Sequence, residues 1–229
     1  MNVDRRFAAE GMRMDFAAAR RNMVESQLRP NKVTNEAVLE AFAAVPRELY
    51  VLAALRGVAY VDEDIPLGGG RFLIEPMILA RLVQMAAPRP ADAALVIGAG
   101  AGYAAAILGR LVSRVVAVES DRELAQRTAQ ILKEQDVANV AVVEAPLSAG
   151  AAQLAPFDIV LFDGSVDVVP PAVVDQLAEG GRLVAVVNAA GIGRARLMTR
   201  SDGAVASRVE FDAAVPRLPG LEAAPAFVF

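Results

Sequence analysis

Short, nearly uninterrupted apolar runs mark the second half of the chain: Ala94-Leu95-Val96-Ile97, Val115-Val116-Ala117-Val118, Val140 to Val143, Ile159-Val160-Leu161-Phe162 and Leu183-Val184-Ala185-Val186-Val187. Runs of about five residues without polar alternation predict strands buried on both faces. Between them lie helical spacings. An Ala/Ile/Leu pattern follows Gly102, and Leu124, Thr128, Ile131 and Leu132 follow Ser120, which with Glu123 reads as a capping box. Pro170-Pro171 opens a further helix through Val174 and Leu177, broken by Gly180-Gly181. Strands alternating with helices of about 10 to 16 residues predict a parallel sheet with right-handed crossovers. The run then changes character: Arg194 to Arg200 and Ala204 to Phe211, separated by Ser201-Asp202-Gly203, read as a hairpin.

The first half is patterned for helices. One runs from Asp15 through Met23, Val24, Gln27 and Leu28 to Arg29-Pro30, where proline ends it. Thr34 or Asn35 can cap a second, whose stripe Val38, Leu39, Phe42 and Val45 faces a core before Pro46. Arg47 to Val51 and Leu52 to Leu55 continue that layer. Residues 60–75 read as an acidic extended piece, Gly68-Gly69-Gly70, and a short apolar piece. Its glycines mark either a loop beside a site or a plain hairpin turn. Pro76 then opens a helix with Ile78, Leu79, Leu82, Val83 and Met85 inward. The organisation expected is a tail (1–13), an N-terminal helical and substrate-loop region (14–88), and a Rossmann-like domain (89–229). The fold class is α/β: a doubly wound, mostly parallel sheet ending in an antiparallel hairpin, under an N-terminal helical layer. That is the layout of class I methyltransferases.

The chemistry is expected at Gly98-Ala99-Gly100-Ala101-Gly102-Tyr103, which closes the first buried strand. Alternating glycines let a backbone approach a ligand closely, and Glu119, ending the next strand, stands where a carboxylate accepts ribose hydroxyls. A dinucleotide fingerprint needs glycine where Tyr103 stands. The pattern here is G-x-G-x-G, similar to the first motif of S-adenosylmethionine-dependent enzymes. Gly191-Ile192-Gly193 precedes a hairpin rather than a helix and is read as a turn.

Composition narrows the chemistry further. The 229 residues contain no cysteine and no histidine, which excludes disulfides, thiol nucleophiles, Cys/His zinc sites and imidazole bases. A formal charge of −4 disfavours binding to nucleic acid by phosphate neutralisation. Apolar runs fall short of the ~20 residues of a membrane span. Arg5-Arg6 is followed by no apolar stretch of signal-peptide length, so a cytoplasmic location is expected.

Met23-Val24-Glu25-Ser26-Gln27-Leu28, Val45-Pro46-Arg47-Glu48-Leu49-Tyr50-Val51, Ala59-Tyr60, Pro66-Leu67-Gly68, Glu75-Pro76, the glycine motif and Gly180-Gly181-Arg182-Leu183-Val184 occur in an order and spacing that resembles the protein-L-isoaspartate O-methyltransferase family from about Asp15 to Val215. The resemblance implies methyl transfer from S-adenosylmethionine to the carboxylate of isoaspartyl residues, which starts repair of damaged proteins. It implies a protein or peptide substrate, no nucleic-acid or membrane partner, and a monomer by default. Gly98, Ala99, Gly100, Gly102, Tyr103, Glu119 and Ser120 become the cofactor-binding candidates. A carboxylate acceptor suits a chain without histidine, being already an anionic nucleophile at neutral pH.

The family's pattern is also altered. Its substrate loop usually resembles T-I-S-Q-P, whereas Phe72-Leu73-Ile74-Glu75-Pro76 stands here, with Ile74 at the hydroxyl position and Glu75 and Arg71 as the remaining polar loop candidates. Val96 replaces an acid before the glycine motif, and Ala145-Pro146-Leu147 replaces the adenine-contacting Gly-Asp-Gly. No catalytic residue is assigned. Two alternatives stay open: a degenerate member that binds cofactor or a protein partner without catalysis, and a metal-dependent small-molecule O-methyltransferase using Asp163 and Asn188.

Overall fold

A computed structural model describes residues 14–189 and 191–223; the tail (1–13) and Phe227-Val228-Phe229 lie outside the described residues. The apolar runs become β3 (Ala93–Ile97), β4 (Arg114–Glu119), β5 (Val140–Glu144), β6 (Phe157–Val166) and β7 (Leu177–Ala189), paired in parallel. β8 (Ile192–Ser201) and β9 (Ala204–Asp212) add antiparallel, giving the seven-stranded order β5-β4-β3-β6-β7-β8-β9. The chain reverses direction across the sheet where β3 meets β6, the kind of switch point at which open α/β sheets bind ligands.

Successive side chains of β3 divide two cores. Ala94 and Val96 face a large cluster with α1 (Phe16–Met23), α2 (Glu36–Ala44), α3 (Pro76–Met85) and α4 (Tyr103–Gly109). Leu95 and Ile97 face a second cluster with Phe157, Val173, Leu218 and Leu221. Residues 14–88 therefore share one core with the sheet. α1 begins at Asp15, whose carboxylate caps Ala18, and continues through a wider turn, Val24–Leu28; Asn35 caps α2 by accepting from the Val38 N–H at 3.2 Å.

Several expectations shift. Arg47–Leu49 and Ala53–Val58 are separate 3₁₀ turns rather than a continuous helical layer, because Pro46 and Leu52 are extended. The glycine-rich stretch is a hairpin, β1 (Ile65–Gly68) against β2 (Arg71–Leu73), with Gly68, Gly69 and Gly70 all at positive φ. α4 spans 7 residues and α6 (Pro171–Val174) 4, shorter than predicted, and Leu177 already belongs to β7, opposite Phe157. α5 (Arg122–Glu134) is capped by Asp121, whose Oδ1 accepts from the Leu124 N–H at 3.0 Å, not by Ser120. β6 does not end at Asp163-Gly164. It runs on to Val166 through a break in register, because β7 pairs on beyond the break, Ser165 opposite Val186 and Val166 opposite Val187.

Candidate active site

The C-terminal ends of β3, β4 and β6 converge on the glycine turn. Gly98, Gly100 and Gly102 all have positive φ, and both Gly98 and Ala99 N–H donate to the Val118 carbonyl at 3.0 Å, folding the turn back over β4. Gly102 starts α4 at φ +92, where Thr128 of α5 leaves no room for a Cβ. Thr128 Oγ1 also donates to the Gly100 carbonyl at 2.6 Å, fixing the turn from below.

Glu119 sits where the sequence places it, fully buried at the end of β4. Its carboxylate is already engaged. Oε2 accepts from the Gly100 N–H at 2.9 Å, and Oε1 accepts from the Ser120 and Asp121 N–H groups at 2.7 and 2.9 Å. The Arg71 guanidinium, from β2, donates through Nη2 at 2.8 Å and through Nε at 3.1 Å, and Nη2 also reaches Ser120 Oγ at 2.9 Å. A carboxylate expected to accept ribose hydroxyls is thus saturated by its own chain, and Ser120 is a partner of Arg71 instead of a helix cap. Glu119 as an acid beside the glycines was legible in the sequence; its pairing with Arg71, 48 residues away, was not, because nothing in local spacing links a hairpin to the end of β4.

The space above the glycines is also occupied. Leu218 packs so closely that a Cβ added at Gly98 would lie 2.4 Å from its Cδ2, and one at Gly164 2.8 Å from its Cγ. Leu67, from β1, covers Gly100 in the same way at 3.1 Å. Leu218 carried no sequence signal, being a lone leucine between Arg217 and Pro219.

Behind the turn, Tyr103 turns its side chain into the core. Its ring packs edge-on to Phe42 and Tyr50, with centroids 6.0 and 5.4 Å away, and the Arg47 guanidinium carbon lies 5.0 Å from its centroid. Burial pushes its hydroxyl up to about 12. Arg47 is itself fully buried, donating to the Ala59 and Ile74 carbonyls at 2.7 and 2.8 Å. Ile74 therefore contributes its carbonyl to Arg47 while its side chain stays in the core. Glu75 is partly exposed, and burial together with Asp62, Asp64 and Glu63 pushes its carboxyl up to about 7. Val96 is wholly buried at the centre of β3, between Ala117 and Leu161, and Pro146 precedes a 3₁₀ turn (Leu147–Ala149).

Asp163 precedes Gly164 in β6, with Arg47, Glu119 and Arg71 as charged neighbours. It is buried with Oδ1 unpartnered, and burial pushes its carboxyl up to about 8 despite the nearby Arg47 and Arg71. Asn188 donates to Ser165 Oγ at 2.8 Å, and no group of three carboxylates that could hold a metal occurs among the described residues.

These features place the chain among known proteins. Residues 19–215 match the family model described as protein-L-isoaspartate(D-aspartate) O-methyltransferase. The chain is 40% identical over 169 residues to the protein-L-isoaspartate O-methyltransferase of Koribacter versatilis, covering 74% of this chain and 76% of that one. It is 38% identical over 171 residues to protein-L-isoaspartate O-methyltransferase 1 of Syntrophobacter fumaroxidans, covering 75% and 80%. The fold superposes on a solved protein-L-isoaspartate O-methyltransferase with a TM-score of 0.79 at 23% identity, over 89% of this chain and 67% of that one. A Plasmodium falciparum chain solved in complex with S-adenosyl-L-homocysteine gives a TM-score of 0.74 at 18% identity, over 86% and 96%. Sequence and architecture agree, and the chain belongs to the protein-L-isoaspartate O-methyltransferase family.

Proposed function

We propose that the protein is an S-adenosylmethionine-dependent protein carboxyl O-methyltransferase that esterifies isoaspartyl residues in damaged proteins, in the cytoplasm, as a step of repair. The observation that carries this reading is the extent of the family match, from residue 19 through the hairpin, the glycine turn and the sheet to residue 215. Identity of 40% over 169 residues to the Koribacter versatilis protein supports a shared reaction as well as a shared fold.

S-adenosylmethionine, the family's cofactor, supplies an electrophilic methyl group when bound. In the arrangement described here it does not fit: Leu218 fills the cleft over Gly98, and Glu119 is consumed by Arg71 and three backbone N–H groups. The chain's own contribution is therefore read from the acceptor side. An isoaspartyl carboxylate needs no general base, in keeping with a chain that has no histidine. The protein has to hold it in line and keep water away. The β1–β2 hairpin borders the turn, and Glu75, with its carboxyl near 7, is partly neutral at pH 7 and so repels an anionic acceptor less than an ordinary glutamate.

The test is incubation with labelled S-adenosylmethionine and an isoaspartyl peptide. Base-labile methyl ester above a boiled control is expected, with the normal aspartyl peptide unlabelled. Its absence at saturating cofactor overturns the proposal.

A further inference from the structure

We infer that residues 213–221 form a strap that seals the cofactor cleft, so that the seated strap and bound S-adenosylmethionine exclude one another. The ligand's identity rests on the methyltransferase reading; the strap itself rests on geometry. After β9 the chain crosses the end of the sheet and lies alongside β6. The Ser165 N–H donates to the Pro216 carbonyl and the Leu218 N–H to the Ser165 carbonyl, both at 2.8 Å. Ser165 Oγ donates to the Val215 carbonyl at 2.8 Å, and the Asp167 N–H to the Leu221 carbonyl at 3.1 Å. These bonds deliver Leu218 onto Gly98 and Gly164 at once, into the space those glycines leave by lacking a side chain.

The other half of the seal comes from the hairpin. Leu67 covers Gly100, and Arg71 covers Glu119. The two halves meet where a Cβ on Gly70 would lie 3.2 Å from the Pro219 ring. Backbone that could approach a ligand is thus covered by apolar carbon, and the carboxylate that could bind a hydroxyl is covered by a cation.

The strap is anchored less firmly than the strands it covers. Beside β6 it forms an isolated bridge, Ser165 with Arg217, rather than a ladder. Its ion pair, Arg217 Nε to Asp167 Oδ1 at 3.2 Å, has the arginine side chain 54% exposed, a setting in which ion pairs contribute little. An opening that swings 213–221 away while the seven-stranded sheet stays intact breaks those bonds and exposes Val215, Leu218 and Leu221, which are buried while the strap is seated.

Calorimetry with S-adenosylhomocysteine on the full chain, Leu218→Ala and Arg217→Ala tests this. Arg217 lies outside the cleft, so its removal loosens the strap without enlarging the cleft, and it serves if Leu218→Ala does not fold. Leu218→Ala is expected to bind at least about tenfold more tightly than the parent, and Arg217→Ala about two- to fivefold, the scale of an exposed ion pair, since closure taxes apparent affinity by the fraction of molecules open. Saturating S-adenosylhomocysteine is further expected to speed hydrogen exchange at the Ser165, Asp167 and Leu218 amides. Affinity unchanged or weakened in both variants, no binding by any of the three, or protection unaltered at saturation overturns the strap. Methyl transfer to an isoaspartyl peptide is read separately. Tighter binding without turnover leaves the strap and overturns the activity, whereas turnover with equal affinities does the reverse.

Discussion

Two buried arginine–carboxylate pairs stand at opposite ends of the parallel strands. At the N-terminal end, Arg182 of β7 pairs with Asp92, just before β3, and donates through Nε and Nη2 to the Ala86 and Ala87 carbonyls at the end of α3, both at 3.0 Å. At the C-terminal end, Arg71 pairs with Glu119. Both pairs are under 11% exposed, yet they do different things. The first ties orphan carbonyls of a helix end to the sheet, at the end of the strands opposite the crevice where open α/β sheets bind ligands. The second lies over the turn where open α/β sheets bind ligands, and Arg71 keeps Nη1 unpartnered. One pair joins a helix end to the sheet; the other lies at the ligand-binding end with a donor to spare.

That contrast can be broken experimentally. The largest effect is expected from Arg182→Ala, which strands a buried carboxylate and two carbonyls: a loss of roughly 3 to 5 kcal/mol in urea unfolding, with cofactor affinity per folded molecule unchanged. Arg71→Ala removes one side of a carboxylate that keeps three backbone donors, so a smaller loss of about 1 to 3 kcal/mol is expected. If Arg71→Ala costs as much as Arg182→Ala, the two pairs are equivalent and the contrast fails.

The protonation of Asp163 sharpens the comparison, since it belongs to the ligand end alone. Its folded carboxyl is raised from 3.8 to about 8, so between those values the folded chain holds a proton that the unfolded chain has released. Its contribution is therefore greatest below about pH 4, declines as pH rises through the window, and levels off above 8. Asp163→Asn is expected to flatten the melting temperature between pH 4 and 8 and raise it at pH 8; an unaltered slope counts against the burial assigned to this group. The smallest effect is expected at Glu75, raised to about 7. Below pH 7 it is neutral, so KM for an anionic isoaspartyl peptide is expected to rise a few-fold from pH 6 to 8 in the parent and to stay level in Glu75→Gln.

The sheet and its helices were legible because their signals are local. Buried parallel strands need continuous apolar runs, and turns need glycine at positive φ, so β3 to β7 and the glycine turn could be read residue by residue. The errors fell where a tertiary partner decided. Ser120 has the residue type and the Glu123 spacing of a cap, but Arg71 holds its hydroxyl and Asp121 caps α5. Asp163-Gly164 reads as a strand end, but β7 pairs with Ser165 and Val166 beyond it after a shift in register. The place of the Tyr103 ring, in the aromatic core with Phe42 and Tyr50, was likewise set by packing and not by the motif it follows.

By itself, then, the sequence determined the α/β class, the glycine turn with Glu119 beside it, and the absence of imidazole and thiol chemistry, because each follows from residue type and short-range spacing. Only the tertiary structure decided that Glu119 is bound by Arg71 and that Leu218 lies over Gly98 and Gly164. Those contacts join a hairpin, a strand end and a C-terminal segment far apart in the chain, and which of them meet is set by packing over the whole sheet, which no local pattern encodes.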